Sequence, residues 1–163
     1  MGGMMISAAA EKNPELFQRL VYLTAFLPKS GDSIMSLTKK DSRSKVPSVL
    51  SISYLRGTSR VTGDIADVFY DDCSPEFIAF AETHLVPEPA RPNFSKIKLS
   101  EQRFGSIPRS YICCTEDQGL SLEFQQYMIG RQPCDKVATL KASHSPFYSI
   151  PDGLVRELLE VSE

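Results

Sequence analysis

Apolar positions along the chain change period several times, and each change marks an element. Met4 to Lys12 carries the small-residue run Ser7-Ala8-Ala9-Ala10 and stops at Asn13-Pro14, which predicts a helix ended by its proline. Arg19 to Phe26 is nearly continuously apolar, the pattern of a parallel strand covered on both faces rather than an alternating, half-exposed one. Pro28 and Gly31-Asp32 end it. From Pro28 to about Gln102 the pattern is irregular and unsuited to a central sheet. One helix stands out there. Ser74-Pro75-Glu76 supplies a capping hydroxyl, a first-turn proline and an acid near the positive helix end, and Phe77, Phe80, Ala81 and His84 follow at helical spacing. Pro87 stops this helix, and Pro89 and Pro92 predict an extended linker.

Regular patterning returns at Ile107. Ser110 to Cys114 predicts a short buried strand, followed by the polar turn Glu116-Asp117-Gln118-Gly119. Leu120, Phe124 and Met128 recur at helical spacing in a helix begun near Ser121 and ended by Gly130 and Pro133. Lys136 to Lys141 is a third strand, and Pro151 to Val161 a last helix with Leu154, Leu158 and Val161 on one face. The order helix, strand, irregular insert, strand, helix, strand, helix predicts an α/β layer with a parallel sheet, whose functional residues stand past the carboxyl ends of its strands.

Composition narrows the function classes. The 163 residues suffice for one soluble domain, and 18 basic against 20 acidic side chains leave a net charge of −2, with no field to draw nucleic acid or an anionic membrane. No apolar run approaches the ~18 to 20 residues of a membrane span, and Met1-Gly2-Gly3-Met4-Met5-Ile6 lacks the basic flank of a signal peptide, so the expected compartment is cytoplasmic. Cys73, Cys113, Cys114 and Cys134 form no C-x-x-C pair, which argues against a metal site, and adjacent Cys113 and Cys114 read as buried reduced thiols. The cluster from Lys39 to Lys45 reads as a solvated loop.

Two residues occupy the position where an open α/β sheet keeps its chemistry: Asp117 after the second strand and His144 after the third. Their side chains would emerge on one sheet edge, where a carboxylate can orient an imidazole by accepting its ring N–H. Taken alone, Asp117 also fits a turn or cap residue. The wider context is more specific. Cys114-Thr115-Glu116-Asp117-Gln118-Gly119-Leu120 and Ala142-Ser143-His144-Ser145-Pro146-Phe147 resemble the acid and histidine segments of the α/β-hydrolase superfamily, in the branch of small esterases related to plant methylesterases and hydroxynitrile lyases. Leu20-Val21-Tyr22-Leu23-Thr24-Ala25-Phe26-Leu27-Pro28 resembles the strand after the nucleophile helix, and Phe69-Tyr70-Asp71-Asp72-Cys73 a cap segment. The resemblance runs in order along essentially the whole chain.

It implies Asp117 as triad acid and His144 as general base for a serine nucleophile, with no metal or organic cofactor. It further implies that 1–27 ends the nucleophile helix and adds a core strand, 28–104 forms a cap, and 105–163 completes the core as the carboxyl-terminal portion of the fold. Phe69, Tyr70, Phe77 and His84 are the expected pocket residues, although plain cap packing explains each as well. Met1-Gly2-Gly3 resembles the end of a G-x-S-x-G-G elbow, so Met1 and Gly2 stand as an oxyanion-site remnant and the serine itself has no counterpart. Ser145 follows His144 where the lyases carry lysine, which favours esterase over lyase. The expected activity is carboxylic ester hydrolysis in a truncated, inactive form. The alternatives are a non-catalytic protein that binds a small ester or other hydrophobic ligand, a homo-oligomer or an associate of the missing amino-terminal half through an open sheet edge, and an incomplete gene product.

Overall fold

The computed structural model describes all residues 1–163. Helix α1 (Gly2–Lys12) leads into strand β1 (Leu20–Leu23). After a long insert, β5 (Arg109–Cys114), helix α6 (Leu122–Arg131) and β6 (Lys136–Leu140) complete a parallel sheet in the order β1-β5-β6, followed by α7 (Pro146–Ser149) and α8 (Pro151–Ser162). The fold is the α/β layer that the alternating pattern predicts. The insert contributes α2 (Ile34–Thr38), α3 (Val46–Val49), β2 (Leu50–Ser53), β3 (Thr58–Val61), α4 (Pro75–His84), β4 (Glu88–Pro89) and α5 (Arg91–Phe94), with β2-β3-β4 forming a separate antiparallel sheet.

Strand alternation decides which side chain enters which half of the core. Tyr111 and Cys113 of β5 join Leu20 and Tyr22 of β1, Phe124 and Met128 of α6 and Met4 of α1. Ile112 and Cys114 face the other way, against Leu140, Leu154 and Val161. Neighbouring cysteines are therefore both buried because both faces of β5 are covered. All four cysteines are free, and burial pushes the Cys113 thiol up to about 11. At Gly3 a Cβ would collide with the Phe26 carbonyl, so glycine lets α1 lie directly on the segment after β1.

Gln125 ties α6 to the end of β5. It is fully buried, donates through Nε2 to Cys114 O (3.0 Å) and Leu120 O (2.7 Å), and accepts from Cys114 N (3.1 Å). An amide side chain serves here because the last residue of the strand and the loop residue just before the α6 cap leave backbone groups without ladder partners.

Several expectations are corrected. The strand predicted over Arg19 to Phe26 stops at Leu23, because Thr24 turns into the left-handed region with φ of 33°. The insert is more ordered than its pattern suggests: Gly57, at φ of 63°, closes the β2–β3 hairpin. Pro89 and Pro92 do not lie in a linker. Pro89 sits in the short edge strand β4, and Pro92 in the first turn of α5, where its missing N–H costs nothing. In α4 only Ala81 is buried and Phe80 is 51% exposed, so its aromatic stripe is not a core face. Within Lys39–Lys45, Lys39, Lys40 and Arg43 are exposed as in a solvated loop, but Asp41 is buried and accepts from Ser121 N (2.9 Å) and the Ser121 hydroxyl (2.7 Å).

A second aspartate joins the insert to the core. Asp72 accepts from Ser143 N at 2.8 Å and from the Ser143 hydroxyl. Partial burial pushes its carboxyl up, but the Ser143 hydrogen bonds outweigh this and hold it below its ordinary value. A depressed folded value means that this stabilisation is complete above the unfolded value of about 4 and is lost as pH falls through the folded one. Urea midpoints should therefore differ between the wild type and Asp72→Asn more at pH 6 than at pH 3. Replacing Gln125 by Leu keeps volume but leaves three buried backbone groups unpaired, and should cost about 3 kcal/mol, read as a lower urea midpoint at unchanged m-value.

Candidate active site

The three parallel strands present their carboxyl ends side by side, and backbone hydrogen bonds continue past the strands themselves. Thr24 N donates to Ile112 O (2.9 Å), Thr115 N to Leu140 O (3.0 Å) and Glu116 N to Ala142 O (3.0 Å). These bonds bring Thr24, Asp117 and His144 to one edge.

Asp117 has a fully buried side chain, and each of its oxygens accepts two hydrogen bonds. Oδ1 accepts from Gly119 N (2.7 Å) and Leu120 N (2.9 Å), the turn that an aspartate makes with its own following backbone. Oδ2 accepts from the Thr24 hydroxyl and from His144 Nδ1, the latter at 2.7 Å. Acceptance by a carboxylate places the ring proton of His144 on Nδ1, which leaves Nε2 with its lone pair. Nε2 has no hydrogen-bond partner, and the ring is about one-third exposed. Phe69 packs its ring edge on His144 with centroids 5.2 Å apart. At Gly119 a Cβ would stand 3.0 Å from the Phe69 ring and 3.3 Å from Asp117 Oδ1, so the turn admits only glycine without displacement.

His144 opens onto a cavity of about 400 Å³ between the sheet edge and the insert. Leu23, Phe26, Ile34, Val46, Leu50 and Val61 make it largely apolar. Met1, Gly2 and Phe69 line it too, whereas Tyr70, Phe77 and His84 do not. Tyr70 and Phe77 pack on each other (5.8 Å), Phe77 stacks on Tyr148 (3.5 Å), and the His84 ring lies on exposed Phe80 with Nδ1 2.7 Å from the Phe80 carbonyl. Helical spacing puts Phe77 and His84 on one face of α4, but Phe77 meets Tyr148 of α7 and His84 lies with Phe80 at the surface, while Tyr70 precedes that helix.

Sequence reasoning missed Thr24. The rule that selected Asp117 and His144, a polar residue just past a strand of an α/β sheet, applies equally to it. Its conformation is held by Tyr111, whose buried hydroxyl donates to Ala25 O (2.7 Å) and accepts from Ala25 N (3.0 Å). Ser143 and Ser145, beside His144, are both buried, and the Ser143 hydroxyl is engaged by Asp72.

No family model matches the chain. It is 33% identical to salicylic acid-binding protein 2 of Nicotiana tabacum, over 99% of this chain and 67% of that protein. It is 30% identical to putative methylesterase 13, chloroplastic, of Arabidopsis thaliana, over 99% of this chain and 39% of the relative. The crystal structure of polyneuridine aldehyde esterase superposes with a TM-score of 0.84 at 25% identity, over 99% of this chain and 69% of that one. The chain thus spans about two thirds of the length of some relatives and well under half of others. With the sheet topology and the order of its segments, these similarities show that the chain belongs to the α/β-hydrolase superfamily, in the small carboxylesterase branch of the plant methylesterases.

Proposed function

We propose that Asp117 and His144 are the acid and general base of a carboxylic ester hydrolase, acting on a serine that is not among these 163 residues. The observation that carries this reading is the 2.7 Å hydrogen bond from His144 Nδ1 to buried Asp117, with Nε2 unpartnered and His144 lining a largely apolar cavity. In such a pair the imidazole takes the serine proton as the oxygen attacks the ester carbonyl. It then returns that proton to the departing alcohol, and the cycle repeats with water on the acyl-enzyme. The fixed carboxylate orients the ring and stabilises the imidazolium formed in between.

Residues 1–27 and 105–163 are the core in this reading and 28–104 the cap, with Phe69 on the substrate cavity. Met1 and Gly2, which line the same cavity as His144, stand where the turn after the serine would lie. The expected substrate is a small neutral ester with an apolar acyl group, in keeping with the cavity walls. Four free thiols fit a reducing compartment such as the cytoplasm.

The test is complementation. A chimera that precedes Met1 with the strands and Gly-x-Ser turn of a related esterase should hydrolyse p-nitrophenyl acetate. Asp117→Asn or His144→Ala should lower its kcat on the order of 10³-fold or more. The 163-residue chain alone should remain at the level of its own His144→Ala variant. Turnover by the chain alone that depends on His144 would overturn the absence of a nucleophile, and a folded chimera indifferent to His144→Ala would overturn the assignment itself.

A second reading, association, rests on β1, which pairs only with β5 and leaves its outer edge without a partner strand. Unpaired strand edges recruit further strands. Light scattering of the purified chain should show self-association that the chimera abolishes; a clean monomer would dismiss it.

A further inference from the structure

The apolar cavity is interrupted on its insert side by two polar side chains. Ser59 of β3 and Asn93 of α5 are 4% and 6% exposed, line the cavity or its wall beside Leu50 and Val61, and meet at 3.0 Å between Asn93 Nδ2 and Ser59 Oγ. Joining β3 to the following segment does not require them. Backbone bonds already do so, through the pairing of Ser59 with Glu88 and through Ala90 N to Gly57 O at 2.9 Å.

The pair also retains unused capacity. With Nδ2 donating, the Ser59 hydroxyl proton and the Asn93 carbonyl oxygen have no protein partner. With the amide turned over, Ser59 would donate to the amide oxygen and both amide hydrogens would be unused. In either orientation one donor is left unused where the pair lines the largely apolar cavity, free for an acceptor that enters it. Glu88, directly across from Ser59 on β4, lines the same cavity and adds a negative charge there.

We propose that Ser59 and Asn93 form a recognition subsite that donates a hydrogen bond to a neutral oxygen acceptor, such as a ketone or a second ester carbonyl, on the part of the ligand that reaches the insert. Glu88 turns the same subsite against a carboxylate. The assignment deepens the ester-hydrolase reading by naming the class of acyl group, but it is read from binding and not from turnover.

Calorimetry on the purified 163-residue chain would compare methyl 5-oxohexanoate, methyl hexanoate and monomethyl glutarate. The keto ester should bind about fivefold more tightly than methyl hexanoate, the contribution of one hydrogen bond to a neutral group, and monomethyl glutarate most weakly. Ser59→Ala, which removes a single oxygen, should abolish the preference for the keto ester, and Asn93→Ala should weaken it, with near-UV circular dichroism confirming that both are folded. No binding of the keto ester by the wild type, or an equal preference in Ser59→Ala, would each overturn the subsite. Failure of the complementation experiment would leave this preference standing, so the two readings fail separately.

Discussion

A carboxylate removed from water must be surrounded by donors, and the buried charge of Asp117 organises the molecule around that requirement. Its four hydrogen bonds come from three places: the residue after β1, its own turn, and the loop after β6. The sheet order β1-β5-β6 puts Asp117 just past the end of the middle strand, the one position from which both neighbours are within reach. Moving the acid to an edge strand would lose either Thr24 or His144.

Two further aspartates repeat the device at the boundary between insert and core. Asp41 accepts the backbone N–H and hydroxyl of Ser121, which caps α6, and Asp72 accepts the same two groups of Ser143, the residue before His144. Apolar packing of Ile34, Leu37, Ile97 and Leu99 joins the insert to the core, and these polar staples fasten it next to both loops that build the site. Such contacts hold a loop in register while leaving the intervening space open, and the cavity beside His144 occupies that space.

Much of the core was legible in the chain. The adjacent cysteines of β5, the capping serines Ser74 and Ser121, and the face of α8 carrying Leu154 and Val161 all follow from local period and local hydrogen bonding, which act over a few residues. The insert was less legible because β2 and β3 are four residues each and pair with each other only once Gly57 reverses the chain. The α4 aromatics misled for a related reason: period identifies a face but not what the face meets, and Phe77 meets Tyr148 from the far end of the chain.

The sequence by itself determined the alternation of helices and strands, the placing of Asp117 and His144 past strand ends, and, through the resemblance of those segments, the superfamily. Only the tertiary structure decided that the two meet at 2.7 Å, that Thr24 completes the carboxylate's partners, and that Phe69 faces the cavity while Tyr70, Phe77 and His84 turn away. The physical reason is range. Propensity and period are set by neighbours along the chain, whereas a buried charge or an apolar cavity is satisfied by groups that sequence separates by tens of residues and that packing alone brings together.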